Sequence, residues 1–344
     1  MTAEANRLKK LLSERPWLLA DGATGTNFFA MGLEHGDAPE LWNLEQPEKV
    51  RQHYRSFIEA GSDIVLTNTF GGTANRLRLH RAEDRVREIN ATAAQLLNAE
   101  IEASGREVVC AGSVGPTGDL MEPLGPLTFD EAVAAFKAQC EGLREGGADV
   151  AWIETMSSPD ELKAAIQGAQ QAGLEVVCTF SFDTNGRTMM GVTPEGLVDL
   201  VHEAIPHPLA YGGNCGVGAA ELLAALVKIG KAAGDGDVVV AKANCGIPEY
   251  HGGKIVYSGT EELMARYAAM ARDAGARIVG GCCGTTPAHV RAMRAALEAH
   301  EPGAAPSIET IVAELGPISY GAEGKEVVRS GEGRRGERRR RREA

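Results

Sequence analysis

The sequence lacks any apolar run as long as a membrane-spanning helix, and it lacks the composition of a disordered, collagen-like or small disulfide-stapled chain. Of its 344 residues, 44% are hydrophobic and 24% are charged, which is typical of soluble globular proteins. The N-terminal stretch is charged and amphipathic, without the unbroken apolar centre of a signal peptide. We therefore expect a cytoplasmic protein.

Positive charge is scarce, because 35 Lys and Arg residues stand against 47 Asp and Glu residues, for a net charge of −12. This excess disfavours nucleic acids and anionic membranes as partners. Segment 329–344 is the exception, with eight Arg and three Glu residues. Its glycines and lack of apolar residues predict a solvated, disordered tail. Contact of this tail with RNA or an acidic surface is the alternative.

Short apolar segments alternate with longer amphipathic segments along the first 300 residues. The apolar segments predict eight strands, at 17–20, 64–68, 108–113, 150–154, 176–181, 209–214, 238–243 and 277–281. The amphipathic segments predict eight helices, at about 46–60, 75–104, 128–145, 158–172, 194–204, 218–233, 259–274 and 287–300.

Eight strands that alternate with eight helices are the elements of a closed parallel α/β barrel. Two smaller doubly wound domains are the alternative, but they require a central linker, and none precedes residue 301. We therefore predict a single (β/α)8 TIM barrel over residues 1–300. A short C-terminal extension over 301–328 and the basic tail over 329–344 complete the predicted organisation.

The seven cysteines are an odd number without an export signal, which argues against disulfides. Cys110 and Cys178 lie within predicted strands and Cys140 lies within a predicted helix, so we interpret them as core residues. The other four follow the last three predicted strands, at the rim where such barrels carry their chemistry; they are Cys215, Cys245, Cys282 and Cys283.

Three thiolates at one rim can hold zinc and leave its fourth position open for a substrate. Cys215, Cys282 and Cys283 form one such set, with Cys245 as a substitute or fourth member. The glycines around them permit close approach. Two alternatives stay open, a vicinal disulfide between Cys282 and Cys283 and cysteines that bind no metal.

Two acidic residues follow predicted strands at the same rim. Glu154 ends the apolar segment VAWIE, where a charge is costly without a partner; it is a candidate for binding a substrate cation, and a salt bridge across the rim is the alternative. Asp21 begins the loop DGATGT and is the second acidic candidate; a role in forming the turn is the alternative. This loop is not a Walker loop, because no GK[ST] follows.

Six segments, in this order, resemble the homocysteine S-methyltransferase family over about residues 17–298: DGATGTNFF, EAGSDIVLTNTF, AGSVGPTG, GADVAWIETM, GGNCG and GGCCGTTPAHVRAM. The pair GGNCG and GGCCG is the specific part of this resemblance. The family includes betaine–homocysteine methyltransferase, S-methylmethionine-dependent enzymes and the N-terminal module of cobalamin-dependent methionine synthase. The resemblance implies a methyltransferase that forms methionine from homocysteine, with Zn²⁺ as its cofactor.

The resemblance also implies roles for individual residues. Cys215, Cys282 and Cys283 match the zinc ligands, whereas Cys245 matches no ligand of the family. Asp21 and Gly22 match the loop that meets the amino-acid substrate, and Glu154 matches the carboxylate that binds its ammonium group. Asp21 and Glu154 are thus the candidate catalytic residues, and three further residues are candidates for substrate binding, namely Thr24, Trp42 and Asn68.

Three positions bear on the identity of the methyl donor. Trp42 matches an aromatic position of betaine enzymes, and an aromatic face suits an onium cation. Gly71 and Thr155, however, stand where the animal betaine enzymes have tyrosines, as in the methionine synthase module. Betaine or another small onium compound is the predicted donor, and a methylated corrinoid on a separate partner protein is the alternative. A non-catalytic zinc-binding barrel is the alternative of another class, and an oligomer is compatible with any of the three.

Overall fold

The structure of the chain is a computed structural model that describes residues 6–183, 185–246, 248–251 and 254–319; it does not describe the side chains of 248–251 and 254–256. The basic segment 329–344 lies outside the described residues, so the prediction of a disordered tail stays a prediction.

The described residues contain ten strands. They are β1 (Leu18–Leu19), β2 (Ile64–Leu66), β3 (Val109–Val114), β4 (Val150–Met156), β5 (Val176–Phe180), β6 (Ala210–Cys215), β7 (Val239–Ala243), β8 (Pro248–His251), β9 (Lys254–Tyr257) and β10 (Ala276–Gly281). Strands β8 and β9 form a separate antiparallel hairpin. The other eight match the eight predicted strands and pair in parallel in the order β1-β10-β7-β6-β5-β4-β3-β2.

The two ends of this sheet meet and close a barrel. A parallel bridge joins Ala20 to Ile64, and the N–H of Asp63 donates to the carbonyl of Leu19 at 2.7 Å. The strands are short, apolar and buried on both faces, as expected for parallel strands that are covered by helices. The predicted (β/α)8 barrel is therefore confirmed.

Thirteen α-helices lie in the described residues, and all but α1–α3 and α13 fall within the predicted helical segments, to within a residue or two. They are α1 (Arg7–Glu14), α2 (Gly25–Ala30), α3 (Trp42–Glu45), α4 (Pro47–Glu59), α5 (Ala74–Leu77), α6 (Val86–Ser104), α7 (Phe129–Glu145), α8 (Pro159–Gln171), α9 (Pro194–His202), α10 (Ala219–Ala232), α11 (Glu261–Asp273), α12 (Pro287–Ala299) and α13 (Ile308–Leu315). None of these helices is long and apolar enough to cross a membrane.

The predicted helix over 75–104 is not continuous. Helix α5 is followed by two short 3-10 turns, Arg78–His80 and Glu83–Arg85, before α6 begins. Arg81, between the two turns, has a left-handed backbone with φ of 56°, which a helix cannot accommodate. The prediction of one helix was therefore wrong, and the break gives a short segment beside the barrel mouth.

The N-terminal end of the barrel is covered by α1. Leu8 and Leu11 are fully buried in the same apolar cluster as the barrel-lining residues Leu18, Trp152 and Ile278. The side chain of Asn6 donates to the backbone carbonyl of Asp149 at 2.9 Å, at the start of β4. With this end filled by apolar side chains, the opposite, C-terminal end is left for a site.

The C-terminal segment of the described chain packs on the outside of the barrel. Helix α13 contacts α10 and α11, and its Ile311 is fully buried. Ser307 caps α13, because its side chain accepts from the N–H of Thr310.

Candidate active site

Three cysteines converge at the C-terminal end of the barrel. Cys215 ends β6, and Cys282 and Cys283 follow β10. Their three sulfur atoms all lie within 4.8 Å of one another. Sulfurs that share one tetrahedral zinc at bonds of about 2.3 Å are about 4 Å apart. The donor set therefore fits a single thiophilic metal, and the three sulfurs also line a cavity that offers a fourth position.

The loops around the three cysteines, here called the cysteine triad, are tied together by backbone hydrogen bonds. Cys215 has a left-handed φ of 58°, and Gly216 follows with a φ of 72°, so the chain turns sharply as β6 ends. The N–H of Cys282 donates to the carbonyl of Ala243 at 2.7 Å, and that of Cys283 donates to Oδ1 of Asn244 at 3.0 Å. These contacts with the C-terminal end of β7 hold the sulfur atoms of Cys282 and Cys283 in position.

Asn214 is a further positioning residue that the sequence analysis did not identify. Its Nδ2 donates to Oγ1 of Thr155 at 2.7 Å and to the sulfur of Cys282 at 3.8 Å. Its Oδ1 accepts from the backbone N–H of Thr155 at 2.8 Å. Its place in the sequence, directly before the rim residue Cys215, is the signal that could have identified it. Through these bonds Asn214 links the end of β4 to the cysteine triad.

The three thiols of the cysteine triad form hydrogen bonds with one another. Hydrogen bonds from Cys215, and then from Cys282, hold the pKa of Cys283 well below its usual value. The contact with Cys282, and then that with Cys283, raises the pKa of Cys215. Metal binding to cysteine displaces the thiol protons, so a divalent cation held by the three sulfurs would replace the protons of this cluster.

Cys245 lies apart from the cysteine triad. Its thiol donates to the carbonyl of Gly259 at 3.2 Å and meets Nε2 of His289 at 3.2 Å, and it is almost fully buried. The thiols of Cys110, Cys140 and Cys178 are buried in the main apolar core. All seven cysteines are free thiols, including the adjacent pair Cys282 and Cys283.

Glu154, near the end of β4, lines the cavity and is only 8% exposed. The hydroxyl of Ser113 donates to its Oε1 at 2.6 Å. Burial raises the pKa of Glu154 to about 7, against the opposing effect of the Lys242 ammonium. Glu154 makes no ion pair with a described cation, so a cationic ligand would stabilise its charge.

Asp21 does not line the cavity. It is completely buried, and both of its carboxylate oxygens are engaged: Oδ1 accepts from Nζ of Lys242 at 2.6 Å, and Oδ2 accepts from the N–H of Leu66 at 2.7 Å. Both oxygens of this predicted substrate-binding carboxylate therefore have partners within the chain, one of them a lysine.

Lys242 is the charged residue that the sequence analysis missed. It belongs to β7, where it interrupts the apolar segment VVVAKA, and it lines the cavity. The reasoning that identified Glu154, a charge within an apolar strand, would also have identified Lys242.

Three other predicted residues line the cavity, namely Gly22, Thr24 and Asn68. A Cβ on Gly22 would lie 2.7 Å from the carbonyl oxygen of Thr285, so the close approach of these loops requires glycine. The amide of Asn68 donates to Oδ1 of Asn43 at 3.0 Å and to the carbonyl of Pro39 at 2.7 Å. Its amide N–H groups therefore secure the loop that covers the site.

Trp42 does not line the cavity. It is 7% exposed, its ring lies against Phe28 with centroids 5.1 Å apart, and Nζ of Lys49 lies 4.5 Å from the ring centroid. The aromatic rings at the mouth belong instead to Phe29 and Phe70, which are 44% and 37% exposed.

The cavity has a volume of about 410 Å³, in the range of small-molecule sites. The cysteine triad, Glu154 and Lys242 all line it, and Phe29, Phe70 and Leu79 line it as well. Three sulfurs, a carboxylate and an ammonium group around one space suit a small polar substrate that carries its own charges and a sulfur atom.

Comparison with known proteins agrees with this chemistry. The model of the homocysteine S-methyltransferase family matches residues 18–297. The metallated form of the homocysteine methyltransferase MmuM from Escherichia coli is similar in structure, with a TM-score of 0.70 and 25% identity over 84% of this chain and 99% of that chain. Its apo form gives a TM-score of 0.67 at 24% identity, over 85% and 100% of the two chains.

A methyltransferase from Methanosarcina mazei shares the fold, with a TM-score of 0.55 and 14% identity over 85% of this chain and 97% of that chain. The family model alone covers nearly the whole barrel. The chain thus belongs to the homocysteine S-methyltransferase family, and it is a methyltransferase that acts on homocysteine.

Proposed function

We propose that this protein is a zinc-dependent homocysteine S-methyltransferase that forms methionine, with betaine or another small onium compound as methyl donor. The observation that carries the proposal is the meeting of the cysteine triad and Glu154 in one cavity of about 410 Å³. This space has room for an amino acid and a small donor side by side.

Cys215, Cys282 and Cys283 would hold the zinc ion. Three soft sulfur ligands favour zinc over harder cations such as Mg²⁺, and a structural relative has a metallated form. Zinc bound there would supply the chemistry that a free thiol lacks at neutral pH, because it lowers the pKa of a coordinated thiol.

Glu154 would bind the ammonium group of homocysteine. Its carboxylate is buried, it faces the same cavity as the sulfurs, and Ser113 holds its Oε1. A buried carboxylate gains most from a ligand that brings a compensating charge. Fixing the amino acid at this point directs its sulfur and limits its motion, which accelerates an in-line transfer.

The aromatic and acidic residues of the cavity lining favour a small cationic donor. Phe29 and Phe70 line the cavity and are partly exposed, and Asp37 and Glu40 line it as well. Aromatic faces and carboxylates both attract onium groups. A cation bound beside the homocysteine sulfur would present its methyl carbon for attack.

A methylated corrinoid on a separate protein is the second candidate donor, and the lining at position 71 favours it. A Cβ on Gly71 would lie 2.9 Å from Oε1 of Glu40, and the N–H of Gly71 donates to that oxygen at 2.6 Å. A tyrosine, which the animal betaine enzymes have at this position, would therefore collide with Glu40 in this chain. The donor pocket differs from theirs at this point.

The test is methionine formation from homocysteine by zinc-loaded protein, with betaine, S-methylmethionine, dimethylsulfoniopropionate and methylcobalamin assayed in parallel. Turnover with an onium donor supports the proposal. Transfer from methylcobalamin alone, with none from the onium compounds, would replace it with the corrinoid-dependent reaction. The Glu154→Gln variant is the control, and it should need more homocysteine for half-maximal rate while keeping its zinc.

A further inference from the structure

Lys242 is a buried ammonium group at the edge of the substrate cavity. Its side chain is about 2% exposed, and its Nζ lies 2.6 Å from Oδ1 of Asp21 and 5.6 Å from the ring centroid of Trp152. Asp21 is itself held by the N–H of Leu66 at 2.7 Å. The ammonium group is therefore fixed in position by a counter-ion that cannot easily turn away.

The surroundings keep this lysine charged. Burial alone would lower the pKa of Lys242, but the carboxylates of Asp21 and Glu154 outweigh that effect and raise its pKa. A lysine ammonium carries three N–H donors. Among the described residues, Asp21 is the one hydrogen-bond acceptor of Nζ, which leaves N–H donors for a ligand.

Glu154 and Lys242 present opposite charges to the same cavity. Within the described part of the chain they form no ion pair with each other, since the partner of Lys242 is Asp21. An α-amino acid carries an ammonium and a carboxylate group on one carbon atom. It can therefore face Glu154 with its ammonium group and Lys242 with its carboxylate, while its side chain extends elsewhere.

We propose that Lys242 binds the α-carboxylate of homocysteine, with Asp21 as its fixed counter-ion. The inference rests on the proposed binding of the substrate ammonium group by Glu154. Without Lys242, the substrate carboxylate would meet Asp21, Glu154 and the thiolates of the cysteine triad, all of negative charge, and would be repelled. Lys242 thus makes the site specific for a thiol that is also an amino acid.

The experiment compares two ligands that differ only in the carboxylate, L-homocysteine and 3-mercaptopropylamine. Their affinities for zinc-loaded wild-type protein and for Lys242→Met are measured by isothermal titration calorimetry, with zinc content checked in both proteins. Lys242→Met should bind homocysteine about 10- to 100-fold more weakly, because it loses a hydrogen bond between charged groups. Its affinity for 3-mercaptopropylamine should be unchanged.

Two results would overturn the inference. Equal weakening of both ligands would mean that Lys242 only supports the structure. Unchanged binding of homocysteine would mean that another group, such as the backbone N–H groups at the start of α2, receives the carboxylate.

Lys242→Arg keeps the charge and should recover part of the homocysteine affinity.

Lys242→Met leaves Asp21 buried without a counter-ion, so the variant Asp21→Asn/Lys242→Met serves where the single variant does not fold. It should show the same loss for homocysteine and none for 3-mercaptopropylamine. Glu154→Gln separates this inference from the proposed function, because it should weaken both ligands. If Glu154→Gln weakens the binding of neither ligand, the proposed role of Glu154 is wrong. The ligand-selective effect of Lys242→Met is tested independently of that result.

Discussion

At the scale of single residues, the charges at the barrel mouth were only partly predictable. Glu154 was identified because it interrupts an apolar strand, and Lys242 carries the same signal. That Lys242 pairs with Asp21 was not predictable, because the two residues are 221 positions apart and their contact depends on how β1 and β7 lie in the closed barrel. Trp42 matched a family position, yet its ring packs against Phe28, which is decided by the path of the loop.

Replacing one cysteine of the triad tests the metal site. Cys282→Ala is expected to lose bound zinc and homocysteine methylation while keeping the fold, because the residue lies in the loop that follows β10. Zinc is measured by atomic emission and the fold by circular dichroism. Cys245→Ser is the matched control and should keep its zinc, since the Cys245 thiol meets Gly259 and His289. Full zinc retention with normal turnover in Cys282→Ala would refute the assignment.

The raised pKa of Glu154 predicts a pH dependence of stability. The pKa is about 7 in the folded protein against an ordinary value of 4.5, so the folded state binds more protons between these values, and stability falls as pH rises through this window. Above pH 7, burial of the ionised Glu154 carboxylate lowers the free energy of unfolding by up to about 3 kcal/mol. Glu154→Gln should therefore be more stable than wild type at pH 8.

The measurement is urea unfolding of both proteins at pH 4.5 and pH 8. It uses metal-depleted protein, because a bound cation nearby would itself lower the pKa of Glu154. At pH 4.5 the two proteins should have similar free energies of unfolding. A stability difference that is the same at both pH values would show that burial does not raise the pKa of Glu154.

At the scale of elements, periodicity located all eight barrel strands, because buried parallel strands form short apolar runs with glycines before them. It did not locate the break between α5 and α6, because Arg81 adopts a left-handed backbone that no local residue type signals. Helix α1 was read only as a charged amphipathic stretch. Its function as a cover became evident from the contacts of Leu8 and Leu11 with the barrel interior.

Helix α1 should contribute to the stability of the whole barrel. Leu11→Ala would leave a cavity at the N-terminal end, and such substitutions at fully buried leucines cost about 2–5 kcal/mol. Urea unfolding monitored by circular dichroism measures this loss. Leu12→Ala, at a neighbouring and only partly buried position, should cost clearly less. Equal losses in the two variants would mean that α1 does not act as a specific cover.

At the scale of the whole molecule, the count of alternating elements and the absence of a central linker were enough to predict one barrel. The placement of the extension was not predictable in the same way, because α13 packs across two helices, α10 and α11, that are far from it in sequence. The basic segment 329–344 contributes most of the positive charge near the C terminus, and its function is open to a direct test.

Deletion of residues 329–344 is expected to leave methionine formation and zinc content near those of the full chain, because the cysteine triad and the cavity are formed by residues that the structure describes between 22 and 283. Steady-state rates at several homocysteine concentrations measure the effect. A large drop in rate would show that the basic segment does more than lie in solvent.

Strand β10 lies between β7 and β1, and the two residues that follow it belong to the cysteine triad, whereas Cys215 comes from β6. The three sulfurs can meet only after β10 has paired with β7 and β7 with β6. Metal uptake during refolding therefore reports the pairing of the last three strands of the barrel: protein in which β10 has not yet docked should hold at best an incomplete, exchangeable ion.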